Sequence, residues 1–271
     1  MVPVVCVILE RSEESRLLCP KWRQFESLVN RNSQFSYVCN ACGLCCHNKV
    51  ITLSPYDLMR LARAANLSAR EAIDRFTIRR GSILKFTDDG ACVALEASRC
   101  GVHRGRPLAC RLYPLGMERV ETSHAEKFVM LEPAIGSLGN YGIDGDVNRF
   151  LEAQGVGDYF AANARYASLL AVFRERIAAT VDFDRVEPRE FWRCAVREAL
   201  AESNYDPNPL IDAMFDASAI VGIDDTEIVA THVERLAQMI RYESNAEMLA
   251  AAAVFLAVSL GYSPSEVTVI S

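Results

Sequence analysis

The chain has 271 residues, of which 51% are apolar and 24% charged, with a formal net charge of −6 and a sequence pI of about 5.4. This composition excludes a chain disordered throughout, and at about 150 residues per domain the length allows one large domain or two smaller ones. The mild acidity argues against a general nucleic-acid binder, which needs clustered Lys and Arg to neutralise phosphates.

In chain order, residues 2–9 are apolar and predict a strand, and Pro20 to Asn30 a short helix. The apolar start is short, lacks a basic leader and meets Glu10–Arg11 directly, so no export signal is read there and a cytoplasmic location is expected. Residues 36–49 read as a metal loop and Val50 to Leu53 as a strand extending it. Ser54 followed by Pro55 marks a helix start, and Ser68 with Glu71 a capping box for the next helix. Ile83–Thr87 and Cys92–Leu95, separated by Asp88-Asp89-Gly90, predict a hairpin. Gly116–Glu121 and Lys127–Leu131 predict a second strand pair. Residues 132–145 carry four glycines and read as a loop and organisational break. The pattern is helical from Asp146 onward. Phe160, Leu169, Leu170, Phe173 and Ile177 suit one long helix, and Glu187-Pro188 opens another. Asn204 to Pro209 reads as a linker. A helix capped by Asp225 or Thr226 runs through Ile240, and a last one from about Asn245 to Leu260. The apolar run Met248–Val258 has eleven residues, too short at about 1.5 Å each for a hydrocarbon core of about 30 Å, and predicts a buried helix with no membrane span.

The expected fold class is α+β: a small irregular cysteine-rich metal-binding domain with short strands over residues 1–135, followed by an all-helical domain over 146–262. The helical region is a candidate surface for a protein or peptide partner.

Ten cysteines are present, and seven of them fall between positions 39 and 110. In a reducing compartment, clustered thiols point to metal more than to disulfides. Cys39, Cys42 and Cys45 follow one another with two residues between, as thiolates do that wrap an iron–sulfur cluster, and Gly43 permits a tight loop. Cys46 is adjacent to Cys45, and neighbouring side chains are expected to diverge to different sites. Cys92, Cys100 and Cys110 form a second, wider group around Pro107 and Pro114. Seven thiolates exceed the four of one tetrahedral ion. One arrangement is a [4Fe–4S] cluster with cysteines left over; the other is two zinc ions held with the help of a histidine. His47 and His103 are the histidines placed for that. Cys6 and Cys194 read as core residues, and His124 and His232 as structural or exposed. Arg106 and Arg111 are placed to offset thiolate charge or bind an anionic substrate, and Tyr113 to reach the same site. No Gly-rich nucleotide or methyl-donor loop, catalytic triad, H-E-x-x-H or paired Glu-x-x-His signal is present.

The run C-x2-C-x2-C-C, the later pair Cys92 and Cys100, and Arg106-Pro107-x2-Cys110-Arg111-x-Tyr113-Pro114 together resemble the YkgJ-type cysteine-cluster family, over roughly residues 37–120. That resemblance implies zinc or iron chelation by the seven cysteines and no settled reaction. A more distant similarity to flagellin lysine N-methylases departs in the spacing of the first cysteines. The expectation is an iron–sulfur protein, [4Fe–4S] first, with a redox or electron-transfer role. The alternatives are a non-enzymatic zinc module and a protein-modifying enzyme.

Overall fold

The computed structural model describes residues 4–5, 28–40, 42–119, 127–131, 136–201, 208–217 and 224–262. Cys6, Cys19, His124 and most of the first predicted strand and helix lie outside them. The α+β expectation holds: short strands dominate the first half and helices the second.

The chain opens with β1 (Val4–Val5), β2 (Leu28–Val29) and β3 (Gln34–Val38). β2 falls where the sequence predicted the end of a helix. Its two residues pair with Val129 and Phe128, a distant partner that local pattern does not reveal. α1 (Pro55–Ala65) and α2 (Ala69–Phe76) both start with complete capping boxes, Ser54 with Asp57 and Ser68 with Glu71, which satisfy amides that have no partner inside the helix. β4 (Thr77–Ile78) and β5 (Ile83–Leu84) pair across a tight turn, and β6 (Leu95–Glu96) pairs with β7 (Arg99–Cys100). The expected strand at Val50–Leu53 is reduced to a bridge between Thr52 and Ile83. The predicted hairpin survives as a Phe86–Cys92 bridge closed by a hydrogen bond from the Thr87 amide to the Ala91 carbonyl (2.8 Å).

After the short helix α3 (Leu108–Leu112), β8 (Leu115–Arg119) and β9 (Lys127–Met130) form the expected antiparallel pair. They are the centre of a four-stranded sheet of order β1-β8-β9-β2. β10 (Asn140–Asp146) occupies much of the glycine-rich stretch read as a loop. It is a strand because β3 offers it an antiparallel partner, Tyr37 opposite Tyr141, with a register shift before Asp146.

α4 (Val147–Gln154), α5 (Gly157–Thr180), α6 (Pro188–Ala199), α7 (Pro209–Ala213), α8 (Asp225–Tyr242) and α9 (Ala246–Ser259) follow. α5 packs on α8 and α9, and α6 on α9. The apolar run predicted as a buried helix is α9, with Leu249 to Ala257 all buried. Among the described residues no helix is long and apolar enough to cross a membrane. Asp224, not Asp225 or Thr226, caps α8, accepting from the amides of Thr226 and Glu227. Cys194, expected in the core, is exposed: α6 buries Trp192, Ala195 and Ala199 and turns Cys194 outward beside Arg197.

The buried apolar side chains form one cluster from Phe35 to Leu260, spanning both halves. At the junction, Tyr56 of α1 stacks edge-on against Tyr159 of α5 (4.9 Å between centroids) and donates to Asp225 of α8 (3.0 Å). Arg60 and Arg63 of α1 bind the same carboxylate.

Candidate metal centre

Three backbone devices carry the cysteines to one place. Gly43 takes a left-handed conformation (φ 74°) and starts a single 3₁₀ turn over Leu44–Cys46. A Cβ on Gly43 would sit 3.1 Å from the Ser98 carbonyl oxygen, so the tip of the β6–β7 hairpin lies directly on this turn. The Cys92 amide then donates to the Cys46 carbonyl (2.8 Å), fastening the second cysteine group to the first. Cys100 ends β7, opposite Leu95.

The third device fixes Cys110. Asp57 is buried, and besides closing the α1 capping box it accepts from the Leu108 amide (2.7 Å) at the start of α3. The turn His103–Gly105 lies so close to α1 that a Cβ on Gly105 would be 2.1 Å from the Arg60 carbonyl oxygen. Asp57 and Gly105 thus position the Cys100–Cys110 segment. This second role of Asp57 depends on a contact 51 residues away, which no local pattern reveals.

The sulfurs of Cys45 and Cys46 are 3.9 Å apart. The adjacent pair does not diverge: both thiols stand on the single 3₁₀ turn and face each other. The Cys45 and Cys46 thiols share a hydrogen bond in which either can donate; it pushes Cys45 down against the effect of its burial, with Lys49 and Arg106 assisting. The same bond, burial and the Cys45 charge push Cys46 strongly up. Burial raises Cys92 and Cys100, and raises Cys110 well above the ordinary range. The charge of Cys45 acts on Cys42, Cys46, Cys92, Cys100 and Cys110 alike.

Backbone groups of Leu138 and Leu44 hold Cys42 below the ordinary thiol range, and those of Ala94 and Val102 offset only part of the rise that burial imposes on Cys92 and Cys100. A lowered thiol favours the thiolate, which is the form a metal requires. Cys39 differs in being exposed; its charge, after burial and the charge of Tyr113, helps push the Tyr37 hydroxyl up to about 12.

Among the described residues no three His, Cys, Asp or Glu side chains stand close enough, as they are, to grip one ion. The side chains these devices carry toward one another are thiols, the ligands a soft metal prefers.

Arg106 lies beside Cys45, Cys100 and Cys110, whose charges oppose the lowering that burial and Arg111 impose on it. Its Nη2 donates to Gln154 at the end of α4 (2.6 Å). Arg111 is occupied by backbone carbonyls, of Arg106 (3.1 Å), Gln154 (2.8 Å) and Arg104 (2.6 Å), and stacks over Tyr159. It braces the loop. Tyr113 packs edge-on against Tyr37 (6.0 Å). His103 is exposed with its ring against the Arg106 guanidinium, a cation, and its own protonation is lowered by burial of the ring and by that charge. His47 Nδ1 faces the Gly43 carbonyl (3.2 Å). His232 is buried and structural.

Residues 38–130, about a third of the chain, match the family model CxxCxxCC, described as "Putative zinc- or iron-chelating domain". No curated protein and no solved structure matches the chain, and no match supports the more distant likeness to flagellin lysine N-methylases.

Proposed function

From the match of residues 38–130 to a zinc- or iron-chelating domain, we propose that this segment holds metal through the thiolates of Cys42, Cys45, Cys46, Cys92, Cys100 and Cys110. The observation that carries this reading is the gathering of cysteines from separate stretches of chain: the Cys45 and Cys46 sulfurs lie 3.9 Å apart, the Cys92 amide donates to the Cys46 carbonyl, and the tip of the hairpin that ends in Cys100 lies on the Gly43 turn. Bound metal would supply the positive charge the thiolates need and tie three separated stretches of chain together. Arg106 offsets part of the remaining charge.

The Cys45–Cys46 separation favours a tetrahedral ion. With metal–sulfur bonds of about 2.3 Å, the edge of a thiolate tetrahedron is about 3.8 Å, against 3.9 Å between these sulfurs. The ferredoxin-like spacing of Cys39, Cys42 and Cys45 favours a second reading, a [4Fe–4S] cluster with a redox or electron-transfer role. In that reading each iron takes one cysteine, so Cys45 and Cys46 do not share one.

The deciding experiment is anaerobic purification from medium containing both zinc and iron, followed by quantification of metal and acid-labile sulfide. Zinc, or iron without sulfide, supports the tetrahedral reading. Iron with equal sulfide and a brown colour supports the cluster. Protein free of both metals overturns the proposal.

A further inference from the structure

Beyond metal binding, we infer that Cys45 and Cys46 form a redox pair: the two thiols close to a vicinal disulfide in exchange with a small-molecule disulfide, and reopen in a thiol reductant. The sulfurs face each other at 3.9 Å on one turn, and both residues are part-exposed, within reach of a small reagent. The backbone around them is pinned. The Cys46 amide donates to the Gly43 carbonyl (2.9 Å), the Cys46 carbonyl accepts from the Cys92 amide (2.8 Å), and the Asn48 amide donates to the Gly90 carbonyl (2.8 Å). The turn thus holds the two sulfurs together, and they need approach by only about 2 Å to reach an S–S bond of about 2.05 Å.

The chemistry is thiol–disulfide exchange. The thiolate of one cysteine attacks a sulfur of the reagent, whose other half leaves as a thiolate. The neighbouring thiol gives its proton to that thiolate and attacks the mixed disulfide, and the second half leaves. In sum the pair loses two electrons and two protons, and the reagent gains them as two thiols. Consecutive Cα atoms stand about 3.8 Å apart, short of the about 4.4 Å at which ordinary disulfides begin, so the closed ring is strained. Strained disulfides are the labile ones, which suits the pair to reversible closure and not to a permanent crosslink. The inference needs the two thiols alone and not the metal; while closed, the turn offers neither thiolate as a ligand.

The test treats the full chain, reduced and freed of metal by a chelator, with oxidised glutathione, then with iodoacetamide, and maps the tryptic peptide ending at Lys49 by mass spectrometry. Cys45 and Cys46 are expected to carry neither glutathione nor the alkyl label, with the peptide lighter by two hydrogens, and dithiothreitol is expected to restore the label on both. Cys45→Ser and Cys46→Ser are expected to stop at the mixed disulfide, while Cys42→Ser still closes. If circular dichroism shows a variant unfolded, the wild-type map decides. Alkylated or glutathionylated Cys45 and Cys46 in the wild type, a link from either to another cysteine, or closure lost in a folded Cys42→Ser overturns the redox pair. Each of these leaves thiolate chelation to stand or fall by the metal analysis.

Discussion

At the scale of the residue, seven cysteines that look equivalent in the sequence are not equivalent in the fold. Cys39 is exposed, Cys92 is buried, and Cys42, Cys45, Cys46, Cys100 and Cys110 lie between. The reduced, metal-free chain is therefore expected to be alkylated by iodoacetamide first at Cys39 and Cys194 and last at Cys92, as followed by peptide mass spectrometry. Added metal should protect Cys42, Cys45 and Cys100 and leave Cys194 unchanged as an internal control. Cys92 reacting as fast as Cys39, or metal protecting Cys194 equally, contradicts the placement. The C-x2-C-x2-C-C run and the wider group were legible because chemistry is written in residue type and spacing. That Cys45 and Cys46 face each other was not, since it depends on the left-handed Gly43 and the turn that follows.

At the scale of the element, caps decide what can be read. α1 and α2 were legible because Ser54 followed by Pro55, and Ser68 with Glu71 three residues on, are local signals. β2 and β10 were not, because each is a strand only through a partner elsewhere: β9 for one and β3 for the other. The same holds for the support of Cys110, where Asp57 and Gly105 act between α1 and the loop before α3. Asp57→Ala removes an N-cap partner and leaves the buried Leu108 amide without its acceptor, so a loss of about 1–3 kcal/mol is expected. Gly105→Ala forces a methyl into the Arg60 carbonyl and is expected to cost about 1–3 kcal/mol through overpacking. Urea unfolding of the metal-free variants measures both. Wild-type stability in either variant contradicts the close approach of this loop to α1.

At the scale of the whole molecule, the two halves share one buried cluster, and the helical half carries its own acid-sensitive point. His232 Nε2 donates to the Ala213 carbonyl (2.7 Å), and its Nδ1 lies 2.8 Å from the Tyr166 hydroxyl, which donates to it when the ring is neutral. Burial lowers its protonation in the folded state. The unfolded chain, with a histidine pKa of about 6.5, therefore binds the proton more readily. The stability His232 contributes is present above about pH 6.5 and is lost as pH falls below it toward the folded-state value. The urea midpoint should fall between pH 7.5 and 5, and His232→Phe should flatten that fall. An equally steep fall in the variant contradicts this assignment.

The α+β class, the helical second half and the cysteine-rich first half were all legible from composition and periodicity. Their fusion into one core was not, because the contacts of Tyr56 with Tyr159 and Asp225 join segments more than 100 residues apart.

The most direct test of the central claim, that converging thiolates hold metal, is X-ray absorption at the edge of the metal that co-purifies with the anaerobic full-length chain. The account predicts a first shell of sulfur alone, at about 2.3 Å from the metal. A shell of nitrogen and oxygen, or a folded chain that binds neither zinc nor iron, contradicts it.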